Sequence, residues 1–373
     1  MRISFFSCVL TVLWSSALVL AIYILRTKFK RFELGSIGCV IFLYLFCAAR
    51  LVLPVEFPWT RGIPFAALMN PIYSAMNLRC PFMQGTNLYV YQLFLLTWLI
   101  GAVVLAVRFF AEYRHTVRQL QKIPTIEKRV DQELLEQFYH GPVLHVRECT
   151  FVDNPFSYGV RKKEILLPNV EMTNEERSLI LRHEAMHHRN RDLLLNFLVQ
   201  IFCCLFWWNP MVYLMKKDLN QTIELRCDRA VLKEIGDDSK VAYLEVLLKT
   251  YKEDFRKEKS YLACLNSSSG RAMEERFTKI AQYKEHRVRF RQFLPACLFA
   301  LVLLLSYSFS FQTHFESPKL QNTKEDIYFE QNDSYIEKIR EQYYLVSSGQ
   351  RTELNKKEVK MLVEDGFELR GDE

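Results

Sequence analysis

Apolar residues arrive along this chain in blocks. Residues 4–25, 88–107 and 292–313 carry no charge over lengths that cross a bilayer. A weaker block, 35–53, completes a span only if Arg50 snorkels its charge to the interface. Four transmembrane helices are therefore predicted. A further uncharged run, 193–215, is divided by Asn209-Pro210, a helix stop and restart, so it reads as two helices lying against the membrane. Between the blocks the pattern changes. Val143 to Cys149 alternates as a strand does, Asp153-Asn154-Pro155 is a turn, and Ser157 to Pro168 adds one or two more extended runs, which together predict a small β-sheet. Helical patterning resumes at Thr173-Asn174-Glu175-Glu176, a capping box opening an apolar-periodic run, and again over 237–265. Residues 112–138 read as one charged, solvated connector helix, and 271–291 as a basic helix returning to the membrane.

Charge orients these blocks. Arg26, Lys28, Lys30 and Arg31 follow the first span, Arg108 and Arg114 the third, and Arg287, Arg289 and Arg291 precede the fourth, so these flanks are cytoplasmic by the positive-inside rule. The N-terminus is then outside, and the first block, with no small-residue cleavage site after it, is not a secretory signal. The predicted organisation is three transmembrane helices within 1–111, with a Pro-rich external loop at 54–87 of irregular structure. A cytoplasmic domain follows at 112–291, then the fourth span at 292–313 and a short external tail at 314–373. From Phe315 onward that tail holds 14 acidic and 9 basic residues. The net charge of +7 is explained by membrane-flanking Lys and Arg, so no direct nucleic-acid site is read. Ten Cys without a Cys-x-x-Cys spacing argue against a disulfide framework, and Cys80 alone is external.

The chemistry centres on His183-Glu184-Ala185-Met186-His187. On a helix, imidazoles four apart share a face and reach one metal, while Glu184 lies beside the open coordination position as a base. His188 is rotated off that face and reads as a surface or supporting residue. A third ligand must come from elsewhere. Asn190 and Leu193 exclude an extended motif with a third downstream His. Glu224-Leu225-Arg226-Cys227-Asp228 places two carboxylates one turn apart on a helix starting at Asn209-Pro210. Glu224 would bind the metal and Asp228 would accept a ring N–H from a ligand His. The alternative is a solvated face pairing with Arg226 or Arg229. Cys227 faces away from both carboxylates and is a poor ligand. A site uniting His183, His187 and Glu224 requires 193–215 not to cross the membrane. His145 reads as a packing or solvent residue.

These motifs, with Asn154-Pro155-Phe156, Gly159, Ile165-Leu166-Leu167-Pro168 and four spans enclosing the zinc domain, resemble the signal-transducing membrane metallopeptidases of bacterial β-lactam and methicillin resistance, the antirepressor peptidases. The resemblance covers about Met1 to Thr313. It implies an α+β membrane protein with a mainly helical, zincin-type cytoplasmic domain in a bacterial cell membrane. Zn2+ would be held by His183, His187 and Glu224, with Glu184 as base and Asp228 supporting. It also implies regulated cleavage of a cytoplasmic protein, a transcriptional repressor or the chain itself. The candidate self-cleavage region is Asn266 to Phe277, including Ser267, Gly270, Arg271 and Arg276. The strand within Ser157 to Pro168 is assigned to hold substrate extended. Two departures stand out: Arg161-Lys162-Lys163 occupy positions where many relatives have Pro, and the tail has no Ser-x-x-Lys of a penicillin-binding sensor domain. Expected partners are the protein substrate, membrane lipid, an external ligand or protein at the tail, and a second copy of the chain. The competing function is a non-catalytic zinc-containing receptor or scaffold that signals by contact; a transporter is disfavoured because no strong span carries a central ionisable residue.

Overall fold

Helices dominate the chain, with short strands grouped in three small sheets, a mixed α+β architecture. The computed structural model describes residues 5–28, 37–78, 89–160, 162–257, 267–283, 294–312, 334–339, 342–347, 350–364 and 367–371. Cys80, Arg161, Asn266, Arg287, Arg289 and Arg291 lie outside these. Two compact units are formed, Met1–Ile63 with Pro71–Gln312, and Pro64–Asn70 with Thr313–Glu373. The elements run α1 (Phe5–Lys28), α2 (Ile37–Val52), β1 (Arg61–Pro64), α3 (Ala66–Met76), α4 (Val90–Lys122) and α5 (Arg129–Glu136). Next come β2 (His145–Cys149), β3 (Phe156–Tyr158), β4 (Glu164–Pro168), α6 (Asn174–Arg189), α7 (Asp192–Leu205), α8 (Pro210–Ile235), α9 (Lys240–Lys257) and α10 (Ser267–Ala281). α11 (Leu294–Leu305), β5 (Phe309–Gln312), β6 (Ser334–Ile339), β7 (Gln342–Ser347), β8 (Gln350–Leu354), α12 (Lys356–Glu364) and β9 (Leu369–Gly371) complete the chain.

Among the described residues, two helices are long and apolar enough to cross a membrane, Phe6–Lys28 and Val90–Lys122; Ile37–Val52 and Asp192–Leu205 are apolar but shorter. One core joins α1, α2, α7, α8 and α11 through Ile22, Leu43, Tyr44, Val199, Leu219 and Leu303. Arg50 does not snorkel. It is buried against Thr11 and Ser306, its guanidinium 3.7 Å from the centre of the Tyr307 ring, because those hydroxyls and the ring satisfy it inside the bundle. A second core gathers Leu135, Val146, Ile165, Leu181, Val231, Tyr243 and Ile280.

Several sequence expectations change. The connector read over 112–138 is two helices, since Pro124 cannot continue α4; Asp131 and Leu135 of α5 are buried, so this stretch is part of the domain wall. The Pro-rich stretch contains α3, which accommodates Pro71 inside the helix at the loss of one backbone bond. The tail read as an acidic extension is a four-stranded sheet, β8-β7-β6-β9, whose Ile336 and Leu345 pack with Leu362 of α12.

Near the motif helix the sheet order is β2-β4-β3, with β2 parallel and β3 antiparallel to β4. β4 is therefore interior and cannot accept another strand. Only β3, within the stretch assigned to substrate binding, offers an edge on that side. Gly159 turns the chain out of β3 with φ +86°, and a Cβ there would lie 1.8 Å from the Lys162 carbonyl oxygen.

Candidate metal centre and active site

Thr173 caps α6 as the sequence predicts: its hydroxyl accepts from the Glu176 N–H at 3.2 Å and Glu176 returns a bond to the Thr173 N–H at 2.8 Å. That fixed start puts His183 and His187 on one face in mid-helix. α7 ends at Leu205, and Asn209 caps α8 by accepting from Met211 N–H, so the chain folds back and brings Glu224 to the same place. Glu224 Oε2 lies 3.5 Å from His183 Nε2, and its Oε1 lies 3.7 Å from His187 Nε2. Bonds of about 2.0–2.1 Å meeting at a near-tetrahedral angle place ligand atoms about 3.3–3.4 Å apart, so this donor set fits a zinc-sized ion. All three donor atoms fall within 4.8 Å of one another.

Each imidazole is oriented from behind. His183 Nδ1 is 2.9 Å from the Tyr243 hydroxyl, which donates to Asp228 Oδ1 at 2.7 Å. Asp228 thus supports His183 through Tyr243, its own oxygen being 3.4 Å from the ring nitrogen. His187 Nδ1 is 3.0 Å from Asp192 Oδ2, a carboxylate also paired with Arg226. Asp192 reaches back because Arg191 adopts a left-handed turn, φ 58°, between α6 and α7. Arg226 accordingly pairs outside its own helix. Cys227 Sγ sits 3.4 Å from His187 Nδ1 and 3.2 Å from Asp192 Oδ2, behind the ring and not on the Nε2 side.

Electrostatics follow from this packing. Burial opposes charge on His187, but Asp192 and Cys227 raise its pKa to about 12. Burial also opposes ionisation of Glu224, yet His183 and Arg276 hold it below the usual carboxylate range. For Arg276 burial is outweighed by Asp228, which raises its pKa. His188 is not a surface residue. It is 2% exposed, with Nε2 3.3 Å from the Glu164 carbonyl of β4, and burial lowers its pKa to about 4.

Glu184 lies beside the cluster, 7% exposed, with Oε2 accepting from the Ser157 hydroxyl at 2.6 Å. The same hydroxyl is 3.0 Å from the Glu184 carbonyl, which ties β3 to α6. A cleft of about 490 Å³ opens here, lined by Phe156 and Ser157 on the β3 side and by Val246, Leu247 and Met273 opposite. Of the self-cleavage candidates, Ser267, Gly270, Arg271, Arg276 and Phe277 all fall in α10, not in a flexible break. Gly270 and Arg271 are exposed, whereas Arg276 binds Asp228 and Phe277 packs on the core. Sequence reasoning missed Ser157, Asp192 and Tyr243 as site residues. For Asp192 a signal existed, a carboxylate five after His187 just beyond the helix end; Tyr243 had none.

A family model described as BlaR1 peptidase M56 matches residues 7–280. The chain belongs to this family. The family is described as a peptidase, and the described residues include two helices long and apolar enough to cross a membrane. The methicillin resistance mecR1 protein of Staphylococcus aureus is 30% identical over 164 residues, 42% of this chain and 28% of that relative. The regulatory protein BlaR1 of Bacillus licheniformis is 26% identical over 215 residues, 54% of this chain and 34% of that relative. The BlaR1 of Staphylococcus aureus is 23% identical over 158 residues, 40% and 27%. The matched region thus spans about a third or less of these relatives' own length.

Proposed function

We propose that this chain is a zinc endopeptidase of the bacterial cell membrane that makes a regulated, site-specific cut in a cytoplasmic protein. The observation that carries the reading is Glu184, a carboxylate held by Ser157 beside a three-ligand cluster that has no fourth protein donor among the described residues. A structural zinc site is closed by four protein ligands; this one leaves a position open, which disfavours the receptor reading. His183, His187 and Glu224 would hold the ion. When bound, zinc supplies a Lewis acid and lowers the pKa of water toward about 7. Glu184 takes the proton from the attacking water and returns it to the leaving amine. Ser157 keeps that carboxylate on its bearing. β3 binds the substrate backbone as an added strand and presents the scissile carbonyl across the cleft.

The membrane arrangement belongs to the same proposal. Four spans, 4–25, 35–53, 88–107 and 292–313, the second with Arg50 satisfied by Thr11, Ser306 and Tyr307 inside the bundle instead of at the interface, would place the N-terminus and tail outside and 112–291 in the cytoplasm, with 193–215 against the inner leaflet; Arg26 and Lys28 at the end of α1 support this orientation. The regulatory role named for one relative fits regulated cleavage, and the proposed substrate is repressor-like. Self-cleavage, where it occurs, falls in Asn266 to Arg271, ahead of the packed Arg276 and Phe277. An external ligand or protein at the tail, and a second copy of the chain, complete the proposed partners.

The test compares wild type with Glu184→Gln in membranes, mapping cut bonds by mass spectrometry while metal content is measured. Fragments that vanish in the variant with zinc retained support the peptidase. Equal fragment patterns with zinc retained favour the contact-signalling receptor.

A further inference from the structure

Two adjacent residues of α10 face two different structures. Arg276 turns to the site: its Nε and Nη2 bond Asp228 Oδ2 and Oδ1, each at 2.8 Å, and Nη1 is 3.2 Å from Glu224 Oε2. That Glu224 oxygen is the one facing His183. Glu275 turns the other way, to the end of α1, where its Oε1 accepts from Arg26 Nη1 at 2.8 Å. The Arg26 guanidinium also binds both oxygens of Asp218, from Nε at 2.8 Å each, and Gln221 at 3.2 Å. Tyr44 of α2 donates to Asp218 at 2.6 Å, and Gln221 donates to Glu275. All the α8 partners, Asp218, Gln221, Glu224 and Asp228, lie on successive turns of one helix. α10 is thus tied to α8 twice, once at the metal ligand and once through the arginine of α1.

We propose that Glu275 and Arg276 make α10 a clamp between the inner end of α1 and the metal ligand Glu224, so that Arg26 sets how firmly Glu224 is held. The argument is electrostatic and geometric. Asp218 and Glu275 share one guanidinium, which is 9% exposed, so removing its charge leaves two carboxylates facing each other with only Tyr44 and Gln221 as donors. Their repulsion drives α10 off α8 at that level. Helix backbone does not bend between neighbouring residues, so Arg276 moves with Glu275. Its fork cannot keep two bonds to Asp228 and a third to Glu224 through such a shift. Glu224 then loses the contact that fixes Oε2 toward His183. Arg26, Glu275 and Arg276 are positioning residues on this reading. Movement of α1 within the membrane would reach the site through them.

The inference rests on the metal site proposed above, but its test reads α10 directly. Full-length protein in lipid nanodiscs is prepared metal-free as wild type, Arg26→Gln, Glu275→Gln and the double variant. Hydrogen exchange of the 267–281 and 218–228 peptides is followed, and zinc affinity is measured by chelator competition. Arg26→Gln is expected to speed exchange in both peptides and weaken zinc binding about tenfold, the scale set by groups that orient ligands. Glu275→Gln removes the repulsion, so the double variant should recover most of both losses. Additive losses in the double variant, or Arg26→Gln with wild-type exchange in 267–281, overturn the clamp. Since exchange is read without metal, failure of the peptidase assay alone leaves this result standing.

Discussion

Tyr243→Phe removes one oxygen and keeps the ring. Tyr243 is 1% exposed and packs in the second core, and Phe keeps its ring, so the substitution creates almost no cavity. Its hydroxyl joins His183 Nδ1, at 2.9 Å, to Asp228 Oδ1, at 2.7 Å. Without it the nearest acceptor for the His183 N–H is Asp228 Oδ1 at 3.4 Å, beyond good hydrogen-bonding distance. Asp228 cannot swing in freely, because two 2.8 Å bonds from Arg276 hold both its oxygens. The ring therefore loses the partner that fixes its tautomer and plane. Loss of such a partner typically weakens metal binding by about 10–100-fold, which is roughly 1.4–2.7 kcal/mol. Stability of the metal-free fold should change by less, about 1 kcal/mol, since the hydroxyl's own desolvation is also removed. Zinc affinity by chelator competition and urea denaturation of the metal-free protein in detergent measure the two effects separately. Affinity within threefold of wild type would refute an orienting role for Tyr243. A stability loss as large as the affinity loss would reassign it to packing.

Gly159→Ala should cost about 1–3 kcal/mol in denaturation, because φ +86° strains any L side chain and the new Cβ meets a backbone oxygen that cannot step aside. Unchanged stability would mean that β3 does not need this turn. His188 gives a pH signature. Its folded pKa of about 4 lies below the 6.5 of a free imidazole, so the unfolded chain binds the extra proton and stability rises with pH between those values, by about 3 kcal/mol in all. Metal-free wild type should lose stability from pH 6.5 down toward 4 more steeply than His188→Gln; parallel curves would sink the assignment.

What the sequence made legible is what one helix encodes by itself. His183, Glu184 and His187 are fixed relative to one another by a 3.6-residue repeat and a capping box, and Glu224 with Asp228 by the same repeat on α8. Contacts that depend on packing between elements left no such trace. Tyr243 reaches His183 only because α9 packs on α6, and Ser157 reaches Glu184 only because β3 is the edge nearest that helix. Helix lengths were less legible: Pro124 ended a helix read as continuous, Pro71 failed to prevent one, and the run 292–313 read as a single span holds a helix over Leu294–Leu305 followed by a strand at Phe309–Gln312.

α8, which the run 193–215 enters after its break at Asn209-Pro210, serves two cores. Its first half, Val212, Met215, Leu219 and Ile223, belongs to the core shared with α1 and α2, and its second half, Cys227, Val231 and Leu232, to the core beneath α6. A helix that serves two cores in turn must rotate its apolar face from one to the other, so no single amphipathic stripe runs its length. Glu224 lies between the last residue of the first set and the first of the second. A carboxylate at that changeover packs into neither core, which leaves it turned to the cleft where His183 and His187 converge. The same changeover puts Asp218, bound to the arginine of α1, less than two turns from Glu224, the proposed metal ligand. On the clamp proposed above, a tilt of α8 against α1 would reach the candidate site over a short, hydrogen-bonded stretch of helix, with Glu224 the first of the proposed ligands in its way.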